Sequence, residues 1–227
     1  MSRLTVGSIE GLTENSNVIS VPTGHSLNVA DAGGLQIGGS AVVSAGLVSI
    51  SPTSIDNAGG SVSTSSGLVT FTGVSAISLN GVFSSAFANY RLLFSRINSG
   101  GSAAQYQDVW RLRASGVDDS SSNYHFYSSY YGTASGNVLL SAVSLWYLGD
   151  GYGSGDESTV TLDLYNPNKA STTFGHGLRN YRFNTSDKYG RAIGVEHSLS
   201  SVFDGITVTS GSGTFSGTFA VYGYKGA

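Results

Sequence analysis

The stretch "STVTLDLY", residues 158–165, sets Val160, Leu162 and Leu164 on one side of an extended chain and Thr159, Thr161, Asp163 and Tyr165 on the other. A period of two is that of a strand with one face in a core and one in water. The same alternation returns in "DVWRLRA" (108–114), with Trp110, Leu112 and Ala114 opposite Val109, Arg111 and Arg113. It returns again in "GTFSGTFAVYGY" (213–224), which aligns Phe215, Phe219 and Val221. Further strand candidates are 90–97, 123–131, 137–147, 178–184, 191–198 and 205–209, separated by Gly, Ser, Asn and Asp. Eight or nine such strands predict an all-β chain built as a jelly-roll-like β-sandwich. Composition agrees, because only 11% of residues are charged and Gly, Ser and Thr dominate, where helix-rich chains carry more Glu, Lys, Leu and Ala.

One segment reads two ways. In "VFSSAFANYRLLFSRI" (82–97), Phe83, Phe87, Tyr90, Phe94 and Ile97 follow a helical spacing, while Tyr90, Leu92 and Phe94 alternate as in a strand. We expect a helical turn over 83–88 and a strand over 90–97, with Asn89 between them.

Towards the N-terminus the pattern changes. "ISVPTGHSLNVADAGGLQIGGSAV" (19–42) divides into blocks of eight residues, each opened by an apolar pair: Ile19/Val21, Leu27/Val29 and Leu35/Ile37. Two buried apolar side chains contribute about 3–6 kcal/mol. Ordering the backbone of one block costs about 1–2 kcal/mol per residue. One block is therefore unstable alone, and such repeats fold only where neighbouring units or chains cover the apolar edge. All 13 Tyr, both Trp, nine of ten Phe and ten of eleven Lys and Arg lie after residue 80. Because aromatics supply much of a compact core, residues 1–75 are expected to form a thin repetitive region and 76–227 the sandwich domain. The six apolar residues of the repeat would form its oligomer-facing or docking side.

Several functions are disfavoured. A net charge of −3 with scattered basic residues offers no track for a phosphate backbone, so no nucleic-acid partner is expected. No run approaches 18 apolar residues, so no membrane insertion by a helix is expected. "MSRLTVGSIEG" lacks the apolar centre of a secretory leader. Cysteine is absent, which excludes disulfides, thiolate metal sites and a cysteine nucleophile.

The repeat resembles the shaft repeats of short phage fibres. The pieces "LNGVFSSAFANYRLLFSRI", "LRASGVDDSSSNYHFY", "TLDLYNPNKASTTFGHG" and "FDGITVTSGSGTFSGTFAVYGYKGA" resemble tail-tip and fibre proteins of tailed-phage virions. What the resemblance implies is a virion homotrimer. Its N-terminal region would attach to other virion proteins or form a shaft, and its C-terminal sandwich would be displayed to the host.

Chemistry-bearing motifs are sparse. His25, His125, His176 and His197 show no metal-ligand spacing, and Glu196 and His197 are strand neighbours that point to opposite faces. In "GDGYGSGDE" (149–157), Asp150, Asp156 and Glu157 could offer oxygen to Ca²⁺, but the spacing is not that of an EF-hand, and an exposed acidic loop is the expectation. No metal or cofactor is expected. Paired carboxylates could cleave glycans as tailspike enzymes do, yet the reading is non-enzymatic. The run "NYHFYSSYYG" (123–132) puts Tyr124 and Phe126 on one face and His125 and Tyr127 on the other, leaving Tyr130 and Tyr131 near a loop. Exposed Tyr suits recognition. Tyr130, Tyr131, Tyr152 and Asp156 are therefore the candidate binding residues, facing a host-surface glycan or protein. A tail fibre is the first expectation, a capsid decoration trimer the second and a glycan-active tailspike the third.

Overall fold

The computed structural model describes residues 36–37, 40–41, 46–99, 106–132, 135–151, 155–183 and 187–225. Two compact units divide the chain, Met1–Ser44 and Ala45–Ala227. In the first, β1 (Gln36–Ile37) and β2 (Ser40–Ala41) pair antiparallel. Ile37 thus lies on a strand, while Ile19, Val21, Leu27, Val29 and Leu35 fall outside the described residues.

The second unit runs through β3 (Gly46–Ile50), β4 (Ser54–Ala58), β5 (Ser61–Ser65), β6 (Leu68–Val74), β7 (Ala76–Asn80), β8 (Asn89–Ser99), β9 (Tyr106–Ala114) and β10 (Val117–Asp118). It continues with β11 (Tyr124–Gly132), β12 (Gly136–Val143), β13 (Trp146–Gly151), β14 (Glu157–Tyr165), β15 (Ser171–Phe183), β16 (Asp187–Ser201), β17 (Gly205–Ser210) and β18 (Thr214–Lys225). These strands form two antiparallel sheets, and this unit is an all-β sandwich. The large sheet has ten strands in the order β12-β11-β16-β15-β14-β8-β18-β6-β5, with β3 also on β18. The small sheet has six, β10-β9-β17-β7-β4, with β13 also on β9.

The core forms where the inward residues of both sheets meet. From "STVTLDLY", Val160, Leu162 and Leu164 are buried at 2% exposure or less, as their alternation demands. Trp110 and Leu112 of β9 and Phe215, Phe219 and Val221 of β18 join them. Phe94 packs edge-on against Trp110 and Phe219, each with 5.3 Å between ring centroids, and stacks on Phe71 at 5.8 Å.

The sandwich begins earlier than the aromatic boundary at residue 75 suggests. Val69, Phe71 and Val74 of β6, and Ile77 and Leu79 of β7, are fully buried in the same core. β6 and β3 share one edge of β18, and β4 extends the small sheet. The residues contributed before position 80 are mostly aliphatic, so a boundary drawn by counting rings misses them. Residues 46–74 belong to the sandwich and not to a separate thin region.

The helical turn over 83–88 is also corrected. This segment is a turn, closed by a Phe87 N–H to Ser84 carbonyl bond of 3.4 Å and by the Tyr90 hydroxyl. That hydroxyl accepts from the Ser84 N–H at 2.7 Å and donates to the Ser84 carbonyl at 2.6 Å. Phe83 folds back on the Tyr90 ring at 4.8 Å, so the aromatic spacing arises from a loop closing over the end of a strand. Ile97, the last member of the stripe, is 47% exposed on the opposite side of β8 from Phe94.

Beside the aromatic core, Arg96 of β8 donates through Nε to Asp108 Oδ2 of β9 at 2.8 Å, with both side chains fully buried. The pair joins the large sheet to the small one. Removing one partner of a buried pair leaves an uncompensated charge, so Asp108→Ala should cost about 3–5 kcal/mol. Urea denaturation of the variant and the parent measures this; a loss below 1 kcal/mol, within surface-substitution size, would contradict it.

Candidate functional site

The outward face of the large sheet is where strands from distant parts of the sequence place side chains side by side. One cross-strand row runs Tyr131, Gly190, Asn180, Thr159, Ser95, Thr218 and Thr70, each opposite the next in register. At the β11 end of this row lies a groove of about 460 Å³. Its lining includes Tyr131, Gly132, Thr159, Asn180, Arg182 and Glu157.

Glycine shapes this groove. A Cβ at Gly190 would stand 2.4 Å from the Tyr131 ring, and one at Gly194 would stand 2.0 Å from the Tyr127 ring. Each ring therefore lies down over a bare stretch of β16 and turns a face outward. Tyr131 remains 55% exposed, which leaves an aromatic surface free for stacking. Arg182 Nη2 lies 3.7 Å from Glu157 Oε2, both well exposed. An exposed pair of this kind contributes little to stability, so its donors and acceptors remain available to a ligand.

Beneath the floor, Tyr181 and Tyr189 stack with 5.3 Å between centroids and 18° between planes. The Arg179 guanidinium sits 4.3 Å from the Tyr181 centroid, and Arg191 lies 5.3 Å from Tyr130 and 5.4 Å from Tyr181. These cation–π contacts hold the long β15–β16 hairpin against β11.

Of the candidate residues, Tyr131 lines the groove and Tyr130 packs beside Arg191 next to it. Tyr152 lies outside the described residues. Asp156 is buried at 7% exposure, so it is not an exposed loop acid; Glu157, its neighbour, is the one on the rim. Asn180, Thr159, Arg182 and Gly190 carried no motif of their own. The alternation in 178–184 could have placed Asn180 and Arg182 together on one face, but nothing in the sequence said which strands flank them.

Among the described residues, His125, His176 and His197 do not assemble a catalytic centre. His197 is fully buried between Tyr124 and Phe203, with ring centroids at 4.7 and 4.9 Å. Its Nε2 lies 2.6 Å from Asp119 Oδ2 and 3.5 Å from the Ser121 hydroxyl. A Ser–His–Asp relay needs the acid and the hydroxyl on different ring nitrogens. Here both crowd one nitrogen, and the contact ties the loop after β10 to β16. His176 stacks on Tyr165 at 5.6 Å. Among the described residues, no group of three His, Asp or Glu side chains could hold a metal ion.

No family model matches the chain, and no curated protein does either. Among solved structures, the CBM2 module of the evolved Dit from Lactobacillus casei BL23 phage J-1 is similar over 75% of this chain and 82% of that chain. The identity is 8% and the TM-score 0.27. A likeness of this strength assigns no function.

Electrostatics on the same face centre on Asp163. It accepts from Arg91 Nε at 2.8 Å and Nη2 at 2.7 Å, and the Tyr224 hydroxyl donates to it at 2.7 Å. Burial pushes the carboxyl up, but the bonds from Arg91 and Tyr224 outweigh it and hold the group below its ordinary value. Tyr224 is pushed up to about 12 by burial and by the same carboxylate. A depressed carboxylate stabilises the fold above its unfolded pKa of about 3.9, and that contribution is lost as pH falls through the folded value. Asp163→Asn should lower stability at neutral pH by about 1–2 kcal/mol, discounted for partial exposure. It should also flatten the acid limb of the stability profile. Urea midpoints of parent and variant on either side of the carboxylate range check both; parallel profiles would contradict the assignment.

Proposed function

We propose that the chain is a non-enzymatic virion protein of a tailed phage, a homotrimeric tail fibre whose sandwich binds a glycan on the host surface. The observation that carries the ligand class is the groove at Tyr131. An exposed aromatic face lies beside the Asn180 amide, the Thr159 hydroxyl and the Arg182–Glu157 pair. Sugar rings present C–H faces that pack on aromatics, and ring hydroxyls that both donate and accept. A planar amide and an Arg–carboxylate pair complement those hydroxyls.

The binding reading is favoured over cleavage by the acids present. Glycoside hydrolysis uses two carboxyl groups about 5–10 Å apart across the scissile bond. Among the described groove residues Glu157 is the only carboxylate, and it faces Arg182. The placement on a phage particle rests on the resemblance of the repeat and of the C-terminal pieces to fibre proteins. Three modest sites on one trimer would hold a repeated surface glycan by avidity.

The expected outcome is that Tyr131→Ala combined with Asn180→Ala lowers binding of the labelled protein to cells of the host strain by tenfold or more. Because both positions are exposed, melting should stay within about 0.5 kcal/mol of the parent. Flow cytometry and thermal unfolding measure the two. Unchanged cell binding removes the groove from the site. Binding to empty capsids in place of cells would move the protein from the tail to the shell.

A further inference from the structure

The outward face of the large sheet carries most of the exposed large apolar side chains among the described residues. Of the twelve large apolar side chains exposed among the described residues, nine lie on it; only Val117, Leu199 and Val202 lie elsewhere. At its centre a register row runs Ala192, Leu178, Thr161, Leu93, Ala220 and Leu68, from β16 to β6. Leu178 is 54% exposed, Leu68 45% and Leu93 39%. Tyr127 and Leu139, 53% and 75% exposed, face each other at the β11–β12 edge.

We propose that this face is the surface through which copies of the chain associate, each turning it towards a shared axis. The inference rests on the trimer proposed above and deepens it by locating the contact on the sandwich itself.

Three observations select a second copy as the occupant. The first is area. From β12 to β6 the face crosses eight strands, about 34 Å at the usual 4.8 Å spacing. Along β8, from Asn89 to Ile97, it covers about 27 Å at 3.4 Å per residue. A patch of about 900 Å² per copy gives about 1,800 Å² in a pair, within the range of stable interfaces.

The second is charge. Arg91–Asp163 is closed within the chain at 2.7 Å, so two like faces meet without facing an unpaired member of this pair. The third is shape. A hollow of about 240 Å³ lies among Leu68, Leu93, Thr218, Ala220 and Tyr222, on the same face as the projecting Leu178 and Phe174. A face that carries both knob and hollow can pack against its own copy. The Tyr131 groove lies at one end of this face, towards the strand ends, and Thr159 borders both it and the hollow, so copies meeting here would also cover the groove's inner edge.

The test uses the full chain, without ligand or host. Its mass is read by light scattering and sedimentation across about 1–50 μM, a span suited to micromolar association. The parent should run as a multiple of the 23.4 kDa chain. Leu93→Arg with Leu178→Arg should weaken association by about 100-fold or more, because an unpaired charge would be buried in the contact. Val117→Arg, at a 71% exposed site on the small sheet, should leave the mass unchanged. Should the double variant misfold, single Leu93→Cys and Leu178→Cys chains serve instead. The chain has no cysteine of its own, so oxidation should join copies through these positions and not through Val117→Cys.

A parent that stays a single chain overturns the proposal, as does a double variant that folds and assembles like the parent. A dimeric mass sensitive to Leu93 and Leu178 supports the face and overturns the three-copy reading. Loss of cell binding on Tyr131→Ala, at unchanged mass, concerns the groove alone.

Discussion

The edge-on packing of Phe94 against Trp110, 5.3 Å between ring centroids, is the contact through which the two sheets hold each other. Phe71, Phe215 and Phe219 close around it from β6 and β18, so one aromatic cluster draws on strands far apart in the chain. Two residues beyond Phe94, Arg96 reaches across to Asp108. Apolar cohesion is non-directional, whereas a buried ion pair is satisfied in one alignment only. The rings supply the attraction, and the Arg96 Nε to Asp108 Oδ2 bond adds a directional contact between the sheets.

A consequence is that the two sheets are unequal. The small sheet covers the centre of the large one on its inner side. At the β11–β16–β15 end the Tyr and Arg side chains beneath the floor take over, with Arg179 and Arg191 against Tyr130 and Tyr181. That cluster gives the groove a stiff base, and Gly190 lets Tyr131 lie flat on it. The groove is therefore built on regular strands, and a ligand bound there would meet an aromatic surface already in place, which would limit the ordering cost. The outward leucines lie on the same pleated surface, so recognition and association would share one sheet.

Alternation alone disclosed much of this architecture. Val160, Leu162 and Leu164, or Tyr124 and Phe126, face inward because a strand with one wet side has no other way to bury them. The membership of β3–β6 in the sandwich was not legible. Their core residues are aliphatic apart from Phe71, and their pairing partners lie as far away as β18. Tyr131 was visible as a loop-proximal aromatic, while Asn180, Thr159 and Gly190 were not. They meet it only through the long-range pairing of β11, β16, β15 and β14. Asp156 misled because an acid in a glycine-rich run reads as exposed, whereas its backbone carbonyl accepts from the Asn98 N–H at 3.0 Å and draws it inward.

The central claim is that residues 46–74 are part of the sandwich and not an appendage to it. It is tested most directly by equilibrium urea unfolding of two shortened chains, one spanning 45–227 and the other 76–227. The account predicts that the longer chain unfolds in one cooperative transition. The shorter one, missing Val69, Phe71 and Val74 from the core and the strands that flank β18 and β7, should show no such transition. A 76–227 chain that unfolds as cooperatively as 45–227, with the same midpoint, would contradict it.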